Sequence, residues 1–148
     1  MRVKTAVAFS RYAGTGWLLC AMFGARVLGQ MLQRWMPQPF LPPADALQGS
    51  SLPYGVLLST QLVILAAMFY LAVRMQTGTL LPSRRLGVGL AWAGALYMTF
   101  SIGRIAVGLA MPEANPWFRT WIPAFFHLVL AGFVLTVSLY HLQTRKGT

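Results

Sequence analysis

Four stretches of the chain are apolar over long distances, and turn formers or charges fence each of them. They cover residues 12–36, 53–73, 86–111 and 120–141. None alternates with the period of a strand, so all four are predicted helices. Each reaches the roughly 20 residues needed to cross a ~30 Å hydrocarbon core. Pro37–Ser51 carries four prolines and further turn formers, so it is a loop, with one short interfacial turn expected around residues 44–47. Pro53 opens the second run, where a missing N–H costs nothing, and Arg74 stops it. Gly78, Pro82, Arg84 and Arg85 lie in the short polar turn that follows, Pro112 closes the third run, and Asn115-Pro116 marks the last loop. Pro123 falls in the first turn of the last helix, where it is tolerated. Short connections make consecutive helices antiparallel neighbours. The pattern predicts an all-α integral membrane protein, a four-helix transmembrane bundle forming a single domain over residues 1–148.

The third run organises the rest. Gly87, Ala91, Ala95, Thr99 and Gly103 recur at every fourth position. That spacing makes a small-residue ridge along a helix, where a neighbouring backbone can approach closely in lipid. The first run has its own ridge in Gly16, Cys20 and Gly24. The two ridges are expected to pack against each other.

Composition agrees with the pattern. Of 148 residues, 57% are hydrophobic and 9% charged, against about a quarter charged in soluble domains. Twelve Lys and Arg against two acids give a net charge of +10. In a soluble protein this would suggest nucleic acid, but the basic residues cluster at the ends of apolar runs and leave no basic face with interleaved aromatics, so no nucleic-acid partner is expected. Arg2, Lys4, Arg11, Arg74, Arg84, Arg85, Arg145 and Lys146 fall on one side, and only Arg34 and Arg119 in the opposite loops. The positive-inside rule then places both termini in the cytoplasm, which in a bacterium means the plasma (inner) membrane. Trp35, Tyr54, Trp117 and Trp121 would mark the outer interface, and Tyr12, Tyr70 and Tyr140 the inner one. The first run continues past the 7–15 apolar residues of a cleaved signal, and Phe23 stands at −3 of the only plausible cut, so it is read as a retained helix. Cys20 is the single cysteine; it forms no internal disulfide and belongs to no zinc spacing.

Candidate chemistry comes from polar residues at a common depth. At ~1.5 Å per residue, Arg26 lies about 20 Å along the first helix and Arg104 about 28 Å beyond Arg85. Gln61 lies about 12 Å below Pro53, and His127 about 9 Å below Trp121. Each helix thus brings one polar residue to the outer half, while the cytoplasmic half shows no such set. Tyr97, Ser101 and Arg104 share one helical face at i, i+4, i+7. Thr120, Ala124, His127, Ala131, Ser138 and His141 share another, and Thr15, Gln30 and Gln33 lie with Arg26. These stripes are expected to point away from lipid.

Four readings of the cluster are open. The arginines can snorkel to the interface while Gln61 and His127 act as packing glue. Arg26, Gln61, Tyr97, Ser101, Arg104 and His127 can instead form a pocket for an amphiphile, because guanidiniums suit a carboxylate, a phosphate or a quinone oxygen. The arginines can pair with acids of a membrane subunit partner or of a second copy. Lastly, the cluster can be a quinone or haem b site. His127 and His141, fourteen residues apart on one helix, resemble membrane b-type cytochromes that hang two haems from one helix. This chain has no histidine left to complete either haem, so a homodimer or another axial ligand would be needed.

Catalytic constellations are missing. Asp45 and Glu113 lie in different loops, and there is no Ser-His-Asp set, nucleophile elbow, phosphate-binding glycine loop or metal-ligand spacing. Glu113 is near enough in sequence to fold over the outer mouth toward Arg104, Arg119 or His127. The expectation is a non-catalytic protein without a cofactor that binds membrane lipids or a lipid-like anionic amphiphile, or an accessory subunit of a membrane complex; the alternative is a redox subunit.

Overall fold

The computed structural model describes residues 2–48, 52–111, 118 and 120–143; the side chains of residues 2–10 and 45 lie outside that description. Expectations resting on Trp117, Arg119, Glu113, Arg145, Lys146 and the side chains of Arg2 and Lys4 therefore fall outside the described residues. The described residues form helices and no strand. In chain order the helices are α1 (Arg2–Trp35), α2 (Ala44–Gln48), α3 (Tyr54–Gln76), α4 (Arg84–Ala110) and α5 (Trp121–Gln143). Helix α1 starts at Arg2 and not at Tyr12, because hydropathy marks where a helix is apolar while the helix itself continues until something breaks it. Residues 2–13 contain neither Gly nor Pro.

Among the described residues, α3, α4 and α5 are long and apolar enough to cross a membrane. Helix α1 is long enough but less apolar, because Arg11, Arg26, Gln30, Gln33 and Arg34 interrupt it. Apolar side chains such as Phe23, Val27, Met68, Phe133 and Val137 form the core, but polar residues are buried with them and large apolar ones face outward. Gln30, Gln61, Ser101, Arg104, Ser138 and His141 are buried, while Leu28, Val63, Trp92, Leu96 and Leu109 are exposed. Such a surface fits a surrounding hydrocarbon, where apolar side chains gain nothing by turning inward.

The long helices run antiparallel to their packing partners. Helix α4 lies along α5 over its whole length, α5 packs on α1, and α1 on α3. Helices α3 and α4 form no extensive contact, so the described helices make a row, not a closed ring of four. The expected pairing of the two small ridges is also absent from the extensive contacts. On α1, Gly16 faces Met75 and Ala72 of α3 and Phe133 of α5, and Gly24 faces Leu65 of α3. On α4 the buried positions are Gly87, Gly94, Ser101 and Arg104. Ala95, Thr99 and Gly103 are exposed.

The reason is geometric. With 3.6 residues per turn, steps of four precess by about 40° each, so a five-residue ridge turns across almost half the helix. Steps of seven drift by only ~20° and hold a seam. Gly87 and Gly94 allow that seam to close: a Cβ on either would stand 2.8 Å from Leu142 or Leu135 of α5. Gly78, with φ of 66°, ends α3 as a left-handed residue that an L side chain would strain.

Candidate functional site

Two sets of polar side chains occupy the end of the molecule that holds α2. The first lies in the α4–α5 seam. The Tyr97 hydroxyl is hydrogen-bonded to Nδ1 of His127, and the two rings meet edge to face with centroids 5.7 Å apart. Ser101 Oγ donates to the Tyr97 carbonyl at 2.8 Å, within its own helix. Arg104 is buried, and its Nη2 donates to Thr120 Oγ1 at 3.0 Å. These contacts use the i, i+4, i+7 face of α4 against the small and polar face of α5.

The second set belongs to α1. Arg26 Nη2 and Gln30 Nε2 each donate to the Leu47 carbonyl at 3.2 Å. Leu47 lies in the last turn of α2, whose carbonyls have no partner further along the helix. Two α1 side chains therefore hold the short helix down. The Arg26 guanidinium also sits over the Phe126 ring, 5.2 Å from its centroid, a favourable cation–π arrangement. Arg26 Nε, Gln30 Oε1 and Gln61 Oε1 are buried and have no hydrogen-bond partner. Unpaired buried polar atoms each cost about 1–3 kcal/mol, so they call for an explanation.

A cavity of about 400 Å³ opens beside Arg26, between α1, the segment leading into α2, and the start of α5. Met22, Leu41, Leu47, Phe125 and Phe126 supply apolar walls, and Arg26 is the charged residue among the lining. The size falls within the ~300–1,000 Å³ of small-molecule sites, which pair apolar walls with few polar groups.

The residues expected at one depth are thus divided. Arg26 lines the cavity; Tyr97, Ser101, Arg104 and His127 belong to the seam behind it. Arg26 lies within electrostatic range of Tyr97 and His127. Gln61 is buried on α3, which packs on α1. The antiparallel contacts Gly24–Leu65 and Trp35–Tyr54 put it level with residues 26–30. Depth along an axis was legible in the sequence, but the direction around it was not. Thr15, expected on the inward face, is exposed and bonds back to the Arg11 carbonyl.

The sequence puts Gln30 on the Arg26 face without marking it as a site residue, and it does not single out Leu47 or Phe126. The apolar turn between prolines and the following helix was the available signal. The opposite end also holds more polar structure than its sequence suggested. Ser138 Oγ donates to the Gly87 carbonyl at 2.7 Å, Tyr140 Oη to the Leu80 carbonyl at 3.0 Å, and the Ser83 N–H to His141 Nδ1 at 3.2 Å. Tyr140 is fully buried, so its ring packs within the protein. His127 and His141, the haem alternative, each have Nδ1 engaged by protein, and the His141 ring packs edge-on against Tyr140. Among the described residues no three His, Cys, Asp or Glu side chains gather as metal ligands. In comparisons with known proteins, no family model, curated sequence or solved structure matches the chain.

Proposed function

We propose that this is a small multi-pass membrane protein that binds a lipid-like amphiphile, with Arg26 holding its anionic or carbonyl head. In this reading α1 spans the membrane with the other three long helices. Its polar residues Arg26 and Gln30 turn inward while Leu18, Leu28 and Leu32 are exposed, so its low hydropathy reflects the site it carries. The basic ends, with both termini, lie on the cytoplasmic side.

The observation that carries the reading is the unpartnered Nε of Arg26 beside an otherwise apolar cavity. A half-buried guanidinium at an apolar cavity suits a carboxylate, phosphate or carbonyl oxygen. The apolar walls suit a chain. Gln30 shares the Leu47 carbonyl with Arg26, and the Tyr97–His127 pair backs the site. Helix α2 acts as the cover, because a head that takes Arg26 competes with the Leu47 carbonyl for the same guanidinium.

The test is mass spectrometry of the molecules that co-purify with the detergent-solubilised protein. Wild type should carry one amphiphile species at near-stoichiometric occupancy, and Arg26→Gln should insert normally and lose it. Equal occupancy in both would overturn the assignment. An absorption spectrum of the same sample separates the redox alternative: a Soret band or stoichiometric quinone would favour that class.

An accessory role is the second reading, and α4 favours it. Its ridge Ala95, Thr99, Gly103 is uncovered, and a Cβ added at Gly103 would meet nothing within 4 Å. A ridge of that kind suits a helix from another subunit or a second copy. Cysteines at Ala95 and Gly103 that cross-link to a co-purifying membrane protein would support it, and a strictly monomeric, unlinked product would count against it.

A further inference from the structure

The row arrangement leaves a groove at the other end of the molecule, independent of the Arg26 site. It has a volume of about 430 Å³ and runs between α3 and α4 over a floor of α5. Leu71 forms one wall, Leu86 and Leu90 the other, and Phe133 and Val137 the floor. Its polar lining is Arg74 and His141. Arg74 is held in place: its guanidinium donates to Tyr70 Oη at 2.9 Å and to the Thr79 carbonyl at 2.7 Å, leaving Nε buried and unpartnered.

Charge decides what fits there. Arg84 and Arg85 begin α4, are exposed and immediately precede the lining residue Leu86, so two further positive charges lie near the Leu86 end of the groove without lining it. The chain has only two acids. Asp45 lies on α2 at the far end, and Glu113 lies outside the described residues. Among the described residues no acid stands at the mouth, while the groove below it is lined mainly by apolar side chains. Anionic lipid headgroups attract such clusters near a membrane surface.

We infer that this groove binds one anionic phospholipid from the adjacent leaflet, its acyl chain along Leu71, Leu90 and Phe133 and its phosphate at Arg74, Arg84 and Arg85. The lipid then occupies the space that a closed four-helix ring would fill with side chains. Arg74 supplies the charge within the groove lining, and the exposed pair supplies field.

The experiment measures lipid retention by native mass spectrometry after reconstitution into nanodiscs of phosphatidylglycerol or phosphatidylcholine. Wild type should retain one phosphatidylglycerol and prefer it over phosphatidylcholine. The triple variant Arg74→Gln, Arg84→Gln, Arg85→Gln should lower that preference at least about tenfold. Leu90→Trp, which fills the groove and leaves every charge, should lower retention similarly. Arg26→Gln should leave this lipid in place, which separates the groove from the site at the other end. Equal retention of both lipids by wild type would overturn the inference. So would unchanged retention in Leu90→Trp, because the lipid would then be held by surface charge alone.

Discussion

The two ends of the molecule treat polar groups in opposite ways. At the basic end, buried hydroxyls and an imidazole are matched to backbone groups of α4 and of the turn before it: Ser138 to Gly87, Tyr140 to Leu80, His141 to Ser83. Side chains reinforce this, with Trp17 Nε1 donating to Gln76 Oε1 at 2.7 Å and Tyr12 Oη bonded to Gln143. Among the described residues, Arg26, Gln30, Gln61 and Tyr54 each leave a buried atom unmatched at the α2 end, against Arg74 Nε at the basic end. In a medium without water, matched polar groups fix helices together, whereas unmatched ones lower stability unless something else meets them. The basic end matches most of its buried polar groups, and the α2 end leaves more donors and acceptors unmatched beside its matched seam.

Substitutions can break this contrast, and the largest effect is expected at the close approach of α4 and α5. Gly87→Ile forces a branched side chain into Leu142 and the His141 Cβ, the latter 3.1 Å from an added Cβ. It should cost about 3 kcal/mol, read as a lowered Tm in detergent. A wild-type Tm would show that the seam is not tightly closed. Next, Tyr140→Phe leaves the Leu80 carbonyl without its phenol donor and should cost about 1–2 kcal/mol in the same assay. The smallest change should have the opposite sign. Gln61→Leu removes a buried unpaired oxygen and should raise the Tm of delipidated protein by up to about 1 kcal/mol equivalent. A clear loss of stability there would mean that Gln61 is already satisfied and that the ends do not differ as described.

Much of the fold was legible because lipid leaves few options: long apolar runs become helices, and Pro37–Pro43, Gly78 and Pro82 punctuate them. The short turn at Ala44–Gln48 could be read for the same reason. Packing partners were harder. A small ridge shows that a helix face can approach another backbone, but not which one, and α1 spends its ridge on α3 and α5. A ridge of period four also turns out of any straight contact, which hid the seam through Gly87, Gly94 and Ser101. For the site, counting residues gave the depth of Arg26, Arg104, Gln61 and His127 but not their azimuth. Only the packing separates the Arg26 cavity from the seam that holds Arg104 to Thr120.

That separation can be measured by comparing Arg26→Lys with Arg104→Lys for occupancy of the co-purifying amphiphile by native mass spectrometry. A lysine keeps the charge at either position but not the planar fork. At Arg26 the lost geometry should lower affinity by about 2 kcal/mol, more than tenfold, with normal insertion and folding. At Arg104, whose guanidinium bonds to Thr120 in the seam, the amphiphile should stay at wild-type occupancy and any loss should appear in Tm. Retention by Arg26→Lys at the wild-type level, or equal loss from both variants, would contradict a site centred on Arg26.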